Sequence, residues 1–232
     1  MTSVTYEERR AALETYFDRT AVEAWAKLTS EAPVSGVRAT VRAGRDSIRD
    51  TLLSWLPADM SGETVLDAGC GAGQLAFAMA ARGASVEAVD LSPTLLELAA
   101  ERAPAEIRER VKFRAGDMLD PDGAPVDRVV AMDSVIHYQP DDMTAMIAGL
   151  ASRARTSVMF TFPPRTPLLT LMHAAGQLFP KSDRSPAIVP VSEQGLRRRI
   201  AAHPGLQDWR VARTKRIDSF FYISQAMELV KA

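Results

Sequence analysis

Between residues 63 and 162 the sequence alternates short, nearly continuous apolar runs with segments of helical periodicity. The pattern predicts strands at 63–69, 84–90, 111–117, 126–134 and 155–162, with helices at 73–83, 92–103 and 141–154. Apolar strands joined by helices are typical of a mostly parallel sheet covered on both faces. Because crossovers between parallel strands are right-handed, the carboxyl ends of these strands should lie along one edge, where ligands bind. The alternation therefore predicts an α/β fold.

The two ends of the chain depart from this alternation. Outside it, the sequence predicts helices at 6–29, 41–55 and 192–202 and an antiparallel hairpin formed by the runs 206–217 and 219–230. The segment 163–191 is too long for an ordinary connection, and we expect it to be a lid or binding element. We therefore expect an N-terminal helical lid or arm at 1–40, and a domain at 41–232 with a substrate-binding insertion at 163–191.

Composition excludes several classes of protein. With 28 basic and 29 acidic residues the formal net charge is -1, so no global field attracts nucleic acid, and we expect no nucleic-acid partner. One cysteine allows no intrachain disulfide and fits a reducing cytosol. The N-terminus is polar and no stretch approaches 18 uninterrupted apolar residues, so we expect a cytoplasmic protein without a secretory signal or transmembrane helix.

A glycine-rich turn follows the first predicted strand. It reads DAGCGAG and contains Gly69, Gly71 and Gly73, which allow a tight turn and the close approach of a ligand to the backbone. The dinucleotide fingerprint GxGxxG requires glycine at position 74, where this chain has Gln74, and no GxxxxGK[ST] motif occurs. The turn therefore disfavours a NAD-dependent oxidoreductase and excludes a P-loop.

Acidic side chains lie at the ends of successive predicted strands along the same edge. They are Asp67, Asp90, Asp117 and Asp133. Asp90 is placed to accept hydrogen bonds from ribose hydroxyls, and Asp117 is placed to reach an adenine amino group, with Met118 packing on the ring. Four carboxylates would repel a diphosphate but would suit a cationic sulfonium that carries ribose and adenine.

These motifs resemble those of the class I S-adenosylmethionine-dependent methyltransferases: DAGCGAG matches the first motif, EAVDLS the second and GDM the third. The resemblance implies a seven-stranded, mostly parallel Rossmann-like sheet whose last strand is antiparallel. It also implies S-adenosylmethionine as cofactor and S-adenosylhomocysteine as its product. With the residues argued above, the predicted cofactor-binding set is Tyr16, Asp67, Gly69, Gly71, Gly73, Asp90, Leu91, Gly116, Asp117, Met118, Asp133 and Ser134.

Longer segments resemble one group within that class, the magnesium-protoporphyrin IX O-methyltransferases. The segments are YFDRTAVEAWAKL (16–28), VRAGRDSIRDTLLSWL (41–56), DSVIHYQP (133–140), TFPPRTPLLTLMHAAGQLFP (161–180) and RIDSFFYISQAMEL (216–229). Ala24 departs from the group, in which a basic residue is expected before Trp25. The resemblance implies methylation of a propionate of Mg-protoporphyrin IX, giving the monomethyl ester, in bacteriochlorophyll or chlorophyll biosynthesis. It also implies contact with the porphyrin-binding subunit of magnesium chelatase and at most peripheral association with the photosynthetic membrane.

The expected reaction needs alignment and desolvation more than a base, because a propionate is already ionised at neutral pH. We expect His137, just after the fourth predicted strand, to orient the propionate, and Tyr16 to bring its hydroxyl near the methyl donor. A purely structural role is the alternative for both residues: His137 would be a residue of a loop–helix junction without substrate contact, and Tyr16 an aromatic residue of the core. The predicted substrate-binding residues are His137, Arg165, Leu168, Met172 and Phe179. We expect the protein to hold no metal ion of its own.

Two alternatives remain open at this stage. The core motifs do not separate a porphyrin enzyme from a methyltransferase of a quinone or another small acid, although the segments at 133–140 and 161–180 favour the porphyrin. A non-catalytic pigment carrier or cofactor sensor on the same fold is also compatible with the motifs, since a fold does not by itself determine function.

Overall fold

The computed structural model describes residues 6–20, 36–120, 122–165, 187–219 and 221–232. The helices of these residues are α1 (Tyr6–Thr15), α2 (Val37–Trp55), α3 (Gln74–Ala81), α4 (Pro93–Arg102), α5 (Pro140–Arg153) and α6 (Glu193–Ala202). The strands are β1 (Thr64–Ala68), β2 (Ser85–Asp90), β3 (Val111–Ala115), β4 (Val126–Ala131), β5 (Ala154–Phe162), β6 (Trp209–Ser219) and β7 (Tyr222–Lys231). A π-helical turn, Tyr16–Thr20, continues α1.

The strands form one seven-stranded sheet in the order β3-β2-β1-β4-β5-β7-β6. The first five strands are mutually parallel, and β1 pairs with both β2 and β4. The last strand, β7, runs antiparallel to β5 and to β6. The structure thus confirms the predicted Rossmann-like sheet with its antiparallel last strand.

Two predicted strands end earlier than their apolar patterns suggest. The third was expected to reach residue 117 and the fourth residue 134, whereas β3 ends at Ala115 and β4 at Ala131. Gly116 has φ 143° and Asp133 has φ 55°, and both values lie outside the extended region that a strand requires. Asp117 and Asp133 therefore lie in loops just beyond the sheet.

Helix boundaries also shift in both directions. The structure begins the second predicted helix at Val37 rather than at residue 41, directly after Gly36, whose φ of 56° is not helical. The first predicted helix, 6–29, is α-helical only to Thr15 and π-helical to Thr20 among the residues described. The hairpin begins at Trp209 rather than at residue 206 because Pro204–Leu206 form a 3₁₀ turn.

Side chains alternate between two apolar layers on opposite faces of the sheet, as strand geometry requires. On β1, Leu66 belongs to the layer that includes residues of α5 and α6, whereas its neighbour Val65 belongs to the layer that includes residues of α2 and α3. Both residues are fully buried. The two layers hold the carboxyl ends of the parallel strands along a single edge.

The described part of the N-terminal segment crosses this edge. Leu13 is 4% exposed and belongs to the same apolar layer as Leu66. Oδ1 of Asp18 accepts hydrogen bonds from the Ser92 hydroxyl (2.9 Å) and the Thr94 amide (3.2 Å) at the start of α4. These contacts hold residues 6–20 over the ends of β2 and β3.

Within the residues described, none of the helices combines the length and apolar character needed to span a bilayer.

Candidate active site

A cavity lies where the carboxyl ends of β1 to β4 meet the N-terminal segment. The predicted site residues that line it are Asp67, Gly69, Gly71, Asp90, Leu91, Gly116, Asp117, Met118, Asp133, Ser134 and His137. Tyr16, Gly73 and Arg165 are not among its lining residues. Leu168, Met172 and Phe179 lie outside the described residues. The binding roles of all these residues stay predictions.

The glycine turn brings the backbone to the cavity wall. Gly69 has φ 82°, and a Cβ there would clash with Cβ of Ser134, so the turn and the loop after β4 are in close contact. Gly71 has φ 53°, and a Cβ there would meet no atom within 4 Å. Because Gly71 faces open space in the cavity, its backbone is accessible to a ligand. Gly73 has a different position, as the left-handed N-cap of α3.

Asp67, near the end of β1, has one carboxylate oxygen without a hydrogen-bond partner in the described part of the chain, although the backbone of Ala76 donates to the carboxylate. The residue is 1% exposed, and its Oδ2 has no hydrogen-bond partner among the described residues. Burial and the neighbouring Asp90 raise the pKa of Asp67 to about 7. An unpaired buried carboxylate is costly, and a ligand with an ammonium or sulfonium group would remove that cost. The cavity therefore fits a cationic cofactor.

Asp90, at the end of β2, is held in place by backbone donors. Its Oδ2 accepts a hydrogen bond from the Gly71 amide at 2.8 Å, and its Oδ1 accepts one from the Ser92 amide at 3.0 Å. Burial raises its pKa, although these hydrogen bonds oppose the shift. An ionised carboxylate has about four acceptor sites, so Asp90 keeps acceptor capacity for hydroxyl groups such as those of a ribose.

Asp117, in the loop after β3, is bound by α1. Its Oδ1 accepts hydrogen bonds from the Tyr6 hydroxyl (2.8 Å) and the Leu119 amide (2.9 Å), and its Oδ2 pairs with Arg10 at 2.8 Å. Burial raises the pKa of Asp117, but the three hydrogen bonds and the charge of Arg10 outweigh burial and lower it. The Tyr6 ring stacks on the ring of Tyr138 at 5.5 Å. Helix α1 thus covers the end of the cavity at β3.

Asp133, in the loop after β4, connects three elements. Its carboxylate accepts hydrogen bonds from the hydroxyls of Tyr222 on β7 and Thr161 on β5, and it pairs with Arg45 of α2. Burial and the charge of Asp133 raise the pKa of Tyr222 well above its ordinary value, so the phenol stays a neutral donor. These partners hold Asp133 in its left-handed conformation, with φ 55°.

The loop that Asp133 begins also carries Ser134 and His137. The Ser134 hydroxyl is buried and has no hydrogen-bond partner among the residues described. His137 is 5% exposed, and its Nδ1 lies 3.4 Å from the carbonyl oxygen of Ala187. Its ring lies 6.0 Å from that of Phe17, which lines the cavity. The neighbouring Tyr16 packs edge-on against Phe17 at 5.1 Å, one residue away from the cavity wall.

Comparison with known proteins decides the family. Over 224 residues the chain is 44% identical to the magnesium-protoporphyrin O-methyltransferase of Rhodobacter capsulatus, and the match covers 96% of this chain and 97% of that protein. The chain belongs to the magnesium-protoporphyrin O-methyltransferase family. A family model described as "Magnesium-protoporphyrin IX methyltransferase C-terminus" matches residues 131–231, and a model of a general methyltransferase domain matches residues 65–156.

Solved structures agree with this assignment to the magnesium-protoporphyrin O-methyltransferases. The crystal structure of magnesium protoporphyrin IX methyltransferase from Synechocystis with bound S-adenosylhomocysteine matches with a TM-score of 0.84 at 28% identity, covering 97% of this chain and 100% of that one.

A ubiquinone biosynthesis O-methyltransferase from Xylella fastidiosa is 39% identical over only 85 residues, 35% of this chain. The likeness to the porphyrin enzymes extends along the chain, whereas this likeness to a quinone enzyme is limited to one part.

Several residues that line the cavity were not predicted from the sequence to belong to the site. They are Tyr6, Leu13 and Phe17 of the N-terminal segment, Arg45 and Arg49 of α2, and Tyr138 of the loop after β4. The spacing of the two arginines places them on one helical face, a signal present in the sequence. No local pattern links Tyr6 to Asp117, because their contact depends on where α1 docks.

Proposed function

We propose that the protein transfers the methyl group of S-adenosylmethionine to a propionate carboxylate of Mg-protoporphyrin IX, giving the monomethyl ester, in bacteriochlorophyll or chlorophyll biosynthesis. The identity of 44% to the Rhodobacter capsulatus enzyme along 96% of the chain carries this proposal. The buried, unpaired Oδ2 of Asp67 in the cavity supports it independently, because a cationic cofactor would satisfy that oxygen.

The reaction itself moves no proton. A carboxylate oxygen of the propionate forms a bond to the methyl carbon while the bond from that carbon to sulfur breaks, and the sulfur leaves uncharged in S-adenosylhomocysteine. When bound, S-adenosylmethionine supplies the electrophilic methyl group. A propionic acid resembles glutamic acid, with a pKa of about 4.3, so the nucleophile is already ionised at neutral pH. The protein's task is to orient the two reactants and to exclude water from the carboxylate.

The cofactor site that we propose follows the edge of the sheet. Asp117 would bind the adenine, Asp90 the ribose hydroxyls and Asp67 the ammonium group. The glycine turn at Gly69 and Gly71 would lie against the methionine part. The positions of these residues at successive strand ends, with Asp67 and Asp90 both buried against the cavity, support this arrangement.

His137 is the residue that we propose for orienting the propionate. Nδ1 lies 3.4 Å from the Ala187 carbonyl oxygen, which can only accept, so a hydrogen bond between them uses the tautomer with a proton on Nδ1. In the neutral ring, Nε2 is then an acceptor, whereas in the imidazolium both nitrogens donate. A carboxylate is oriented by a donor, so a ring nitrogen that carries a proton is the group that would bind the propionate.

Tyr16 and the segment after β5 complete the proposal. Tyr16 would approach the methyl donor from the N-terminal segment. Its ring packs against Phe17, which lines the cavity, so Tyr16 lies close to the cavity wall. Arg165 is exposed, and its amide donates to the Val191 carbonyl at 2.9 Å, which places it where the proposed insertion leaves the domain. Together with Leu168, Met172 and Phe179 it would bind the porphyrin.

One assay tests the activity. Purified protein is incubated with S-adenosylmethionine and Mg-protoporphyrin IX, and mass spectrometry follows the gain of one methyl group on the porphyrin. Parallel reactions contain metal-free protoporphyrin or a hydroxylated quinone precursor. Methylation of the Mg-porphyrin supports the proposal, whereas methylation of the quinone precursor alone would replace it with the alternative acceptor class. Binding of the porphyrin without methylation would favour a pigment carrier.

A matched pair of variants relates the activity to the cavity. Asp67→Asn removes the buried charge and should raise the KM for S-adenosylmethionine by about 10–100-fold, since hydrogen bonds to charged groups contribute about 1.5–3 kcal/mol. Asp59→Asn, at an exposed position outside the cavity, should leave KM unchanged. Equal KM values in the two variants would remove Asp67 from the cofactor site.

The proposal extends to two associations that the family resemblance implies. We propose contact with the porphyrin-binding subunit of magnesium chelatase and, at most, peripheral binding at the photosynthetic membrane. Co-sedimentation with membranes that a high-salt wash reverses would support peripheral binding. Retention of all the protein on the membrane after that wash would contradict it.

A further inference from the structure

Asp133 begins the loop that carries His137, and its backbone conformation is rare for its residue type. Among the residues described, Asp133 is the one non-glycine residue with a positive φ, 55°. An L-residue keeps such a conformation where surrounding contacts determine it. The residues that follow, 134–138, leave the sheet in the direction that this turn sets. The conformation of Asp133 is therefore one determinant of where His137 lies.

Two hydroxyl groups hold Asp133 from outside the cavity. The Thr161 hydroxyl, near the end of β5, accepts a hydrogen bond from the Asp133 amide at 2.7 Å and donates one to Oδ1 at 3.0 Å. The Tyr222 hydroxyl, at the first residue of β7, donates to the same carboxylate and lies 3.0 Å from Oδ1 and 2.9 Å from Oδ2. Neither Thr161 nor Tyr222 lines the cavity. Both the backbone and the side chain of Asp133 are thus fixed by neighbours behind the cavity wall.

The topology of the sheet explains why these hydroxyls reach the loop. Strand β5 is parallel to β4, and β7 is antiparallel to β5, so the end of β5 and the beginning of β7 lie at the edge where β4 ends. The Tyr222 ring is in close contact with α2, since a Cβ at Gly44 would lie 2.5 Å from Cδ1 of the ring. Packing therefore holds the ring, and the hydroxyl is the group that acts on Asp133.

The Asp133 carboxylate is engaged by protein groups. Its side chain is 8% exposed, and Arg45 pairs with Oδ2 in addition to the two hydroxyls. An ionised carboxylate has about four acceptor sites, and these contacts engage both oxygens. Asp67 differs, since its Oδ2 has no partner among the described residues. The contacts favour a supporting role for Asp133 over the predicted binding of the cofactor.

The far end of the loop is held by a different segment. The Ile136 carbonyl accepts a hydrogen bond from the Val189 amide at 2.9 Å, and Nδ1 of His137 lies 3.4 Å from the Ala187 carbonyl oxygen. The loop is thus fixed at both ends, by side chains at Asp133 and by backbone at residues 187–189. Loss of the hydroxyl contacts at Asp133 would leave His137 held from one end.

We propose that Tyr222 and Thr161 are positioning residues of the methyl transfer, which act through Asp133 to align His137 with the propionate. This inference rests on the proposed function, since it takes His137 as the residue that orients the propionate. The two hydroxyls contribute by fixing the geometry in which oxygen, methyl carbon and sulfur meet. A misplacement of about 1 Å, even one that arises far from the reacting atoms, reduces a rate by about 10²-fold.

Substitutions that delete a hydroxyl and keep the side-chain shape test the proposal. Tyr222→Phe and Thr161→Val should lower kcat for Mg-protoporphyrin by about 10–100-fold. In the ligand-free protein they should increase amide exchange of residues 134–138 by about tenfold, because local opening determines exchange. Thr161→Ser keeps the hydroxyl and should restore both quantities to within about threefold of wild type.

Thr51→Val is the matched control. It removes a buried hydroxyl of α2 that donates to the Ser47 carbonyl at 2.9 Å, outside the cavity. Neither kcat nor the exchange of residues 134–138 should change by more than about twofold in this variant. A loss in Thr51→Val as large as that in Tyr222→Phe would overturn the proposal, since any buried hydroxyl would then have the same effect.

Cofactor affinity separates positioning from a general loss of structure. The partners of Asp90 and Asp117 given above include neither hydroxyl. Calorimetry should therefore find the affinity of Tyr222→Phe for S-adenosylhomocysteine within about threefold of wild type. A loss of affinity as large as the loss of kcat would overturn the proposal in favour of a general structural role.

A pair of substitutions at Asp133 tests whether its conformation matters. Asp133→Gly and Asp133→Ala both remove the carboxylate, but glycine alone adopts a φ of 55° without steric cost. The glycine variant should therefore be about tenfold more active than the alanine variant. Adding Tyr222→Phe to Asp133→Gly should change kcat by no more than about twofold, because the hydroxyl has already lost its partner.

Two results at Asp133 would contradict the proposal. Equal activity of the glycine and alanine variants would show that the left-handed conformation does not matter. An equal, large loss of S-adenosylhomocysteine affinity in both would assign the carboxylate to the cofactor instead. If Asp133→Ala does not fold, the hydroxyl variants Tyr222→Phe and Thr161→Val decide the proposal by themselves.

The proposed function and this inference fail in different ways. If wild type does not methylate Mg-protoporphyrin, the function fails, whereas the exchange rates of residues 134–138 still decide whether the two hydroxyls hold the loop. If wild type methylates the porphyrin and both Tyr222→Phe and Thr161→Val are as active as wild type, only the inference fails.

Discussion

The hydroxyl of Tyr6 donates a 2.8 Å hydrogen bond to Oδ1 of Asp117, joining residues 111 positions apart in sequence. Arg10, one turn further along α1, pairs with the other carboxylate oxygen at 2.8 Å. The carboxylate that we expect to bind adenine is thus also the group that holds the first helix over the cavity. If Asp117 binds adenine as we propose, the position of α1 and the binding of the cofactor would be coupled through one side chain.

The first prediction concerns this contact. Tyr6→Phe should increase the amide exchange rates of α1 by about tenfold, because loss of a hydrogen bond to a charged group costs about 1.5–3 kcal/mol and local opening determines exchange. Arg10→Met should have a smaller effect, since its side chain is 38% exposed and exposed pairs contribute at most about 1 kcal/mol. Hydrogen–deuterium exchange of residues 6–15 is the measurement. Arg9→Met controls for the lost charge, and unchanged exchange in Tyr6→Phe would show that α1 is held by other contacts.

The second prediction concerns pH. Burial and Asp90 raise the pKa of Asp67 to about 7, so below that pH the unliganded cavity holds a neutral Asp67. Binding of an ammonium group favours the ionised form, and binding should therefore release a proton. The affinity for S-adenosylhomocysteine should fall by about tenfold per pH unit below pH 7 and level off above it.

Calorimetry in buffers of different ionisation enthalpy measures this proton release directly. Asp67→Asn should bind more weakly at pH 8 and lose this component of the pH dependence. A wild-type affinity that stays constant between pH 5.5 and pH 8, conditions chosen to bracket the raised pKa, would show that Asp67 does not bind the ligand's cation.

The third prediction separates two roles for His137. If the ring orients the propionate as a donor, His137→Gln should keep part of the activity, because an amide nitrogen also donates, whereas His137→Leu should reduce kcat by about 10²-fold or more. If the ring instead removes a proton, the two variants should be equally impaired, since neither side chain accepts protons at neutral pH.

The fourth prediction compares three glycines with left-handed backbone. Gly62→Ala, at φ 82° in an exposed turn with open space around its Cβ, measures backbone strain alone, about 1 kcal/mol of stability. Gly69→Ala has the same φ of 82° but adds the clash with Ser134, so it should lower the melting temperature more than Gly62→Ala does. Gly71→Ala should be similar to Gly62→Ala in stability but should weaken S-adenosylhomocysteine binding, because its Cβ enters the cavity. Equal binding by Gly62→Ala and Gly71→Ala would place the ligand elsewhere.

The sequence by itself determined the sheet and the edge at which the site lies. The alternation of apolar runs and helical patterns from 63 to 162 predicts parallel strands, and the handedness of their connections brings Asp67, Asp90, Asp117 and Asp133 to one edge. The motifs DAGCGAG, EAVDLS and GDM led to the methyltransferase class, and the longer segments to the porphyrin enzymes; the comparisons confirm both. The sheet and its edge could be predicted because they depend on local periodicity and a general rule of topology, whereas the class and the group came from the resemblance of motifs and segments to known families.

Only the tertiary structure decided which partners these acids have. Asp117 binds Tyr6 and Arg10 of α1, and Asp133 binds Arg45 of α2 and Tyr222 of β7. Each of these contacts joins elements far apart in the chain, and no periodicity within one element specifies its neighbour in space. The loop conformation of Asp133 has the same origin, since a non-glycine residue keeps a φ of 55° when surrounding hydrogen bonds compensate its strain. The physical reason is that packing selects among many arrangements that the same local patterns allow.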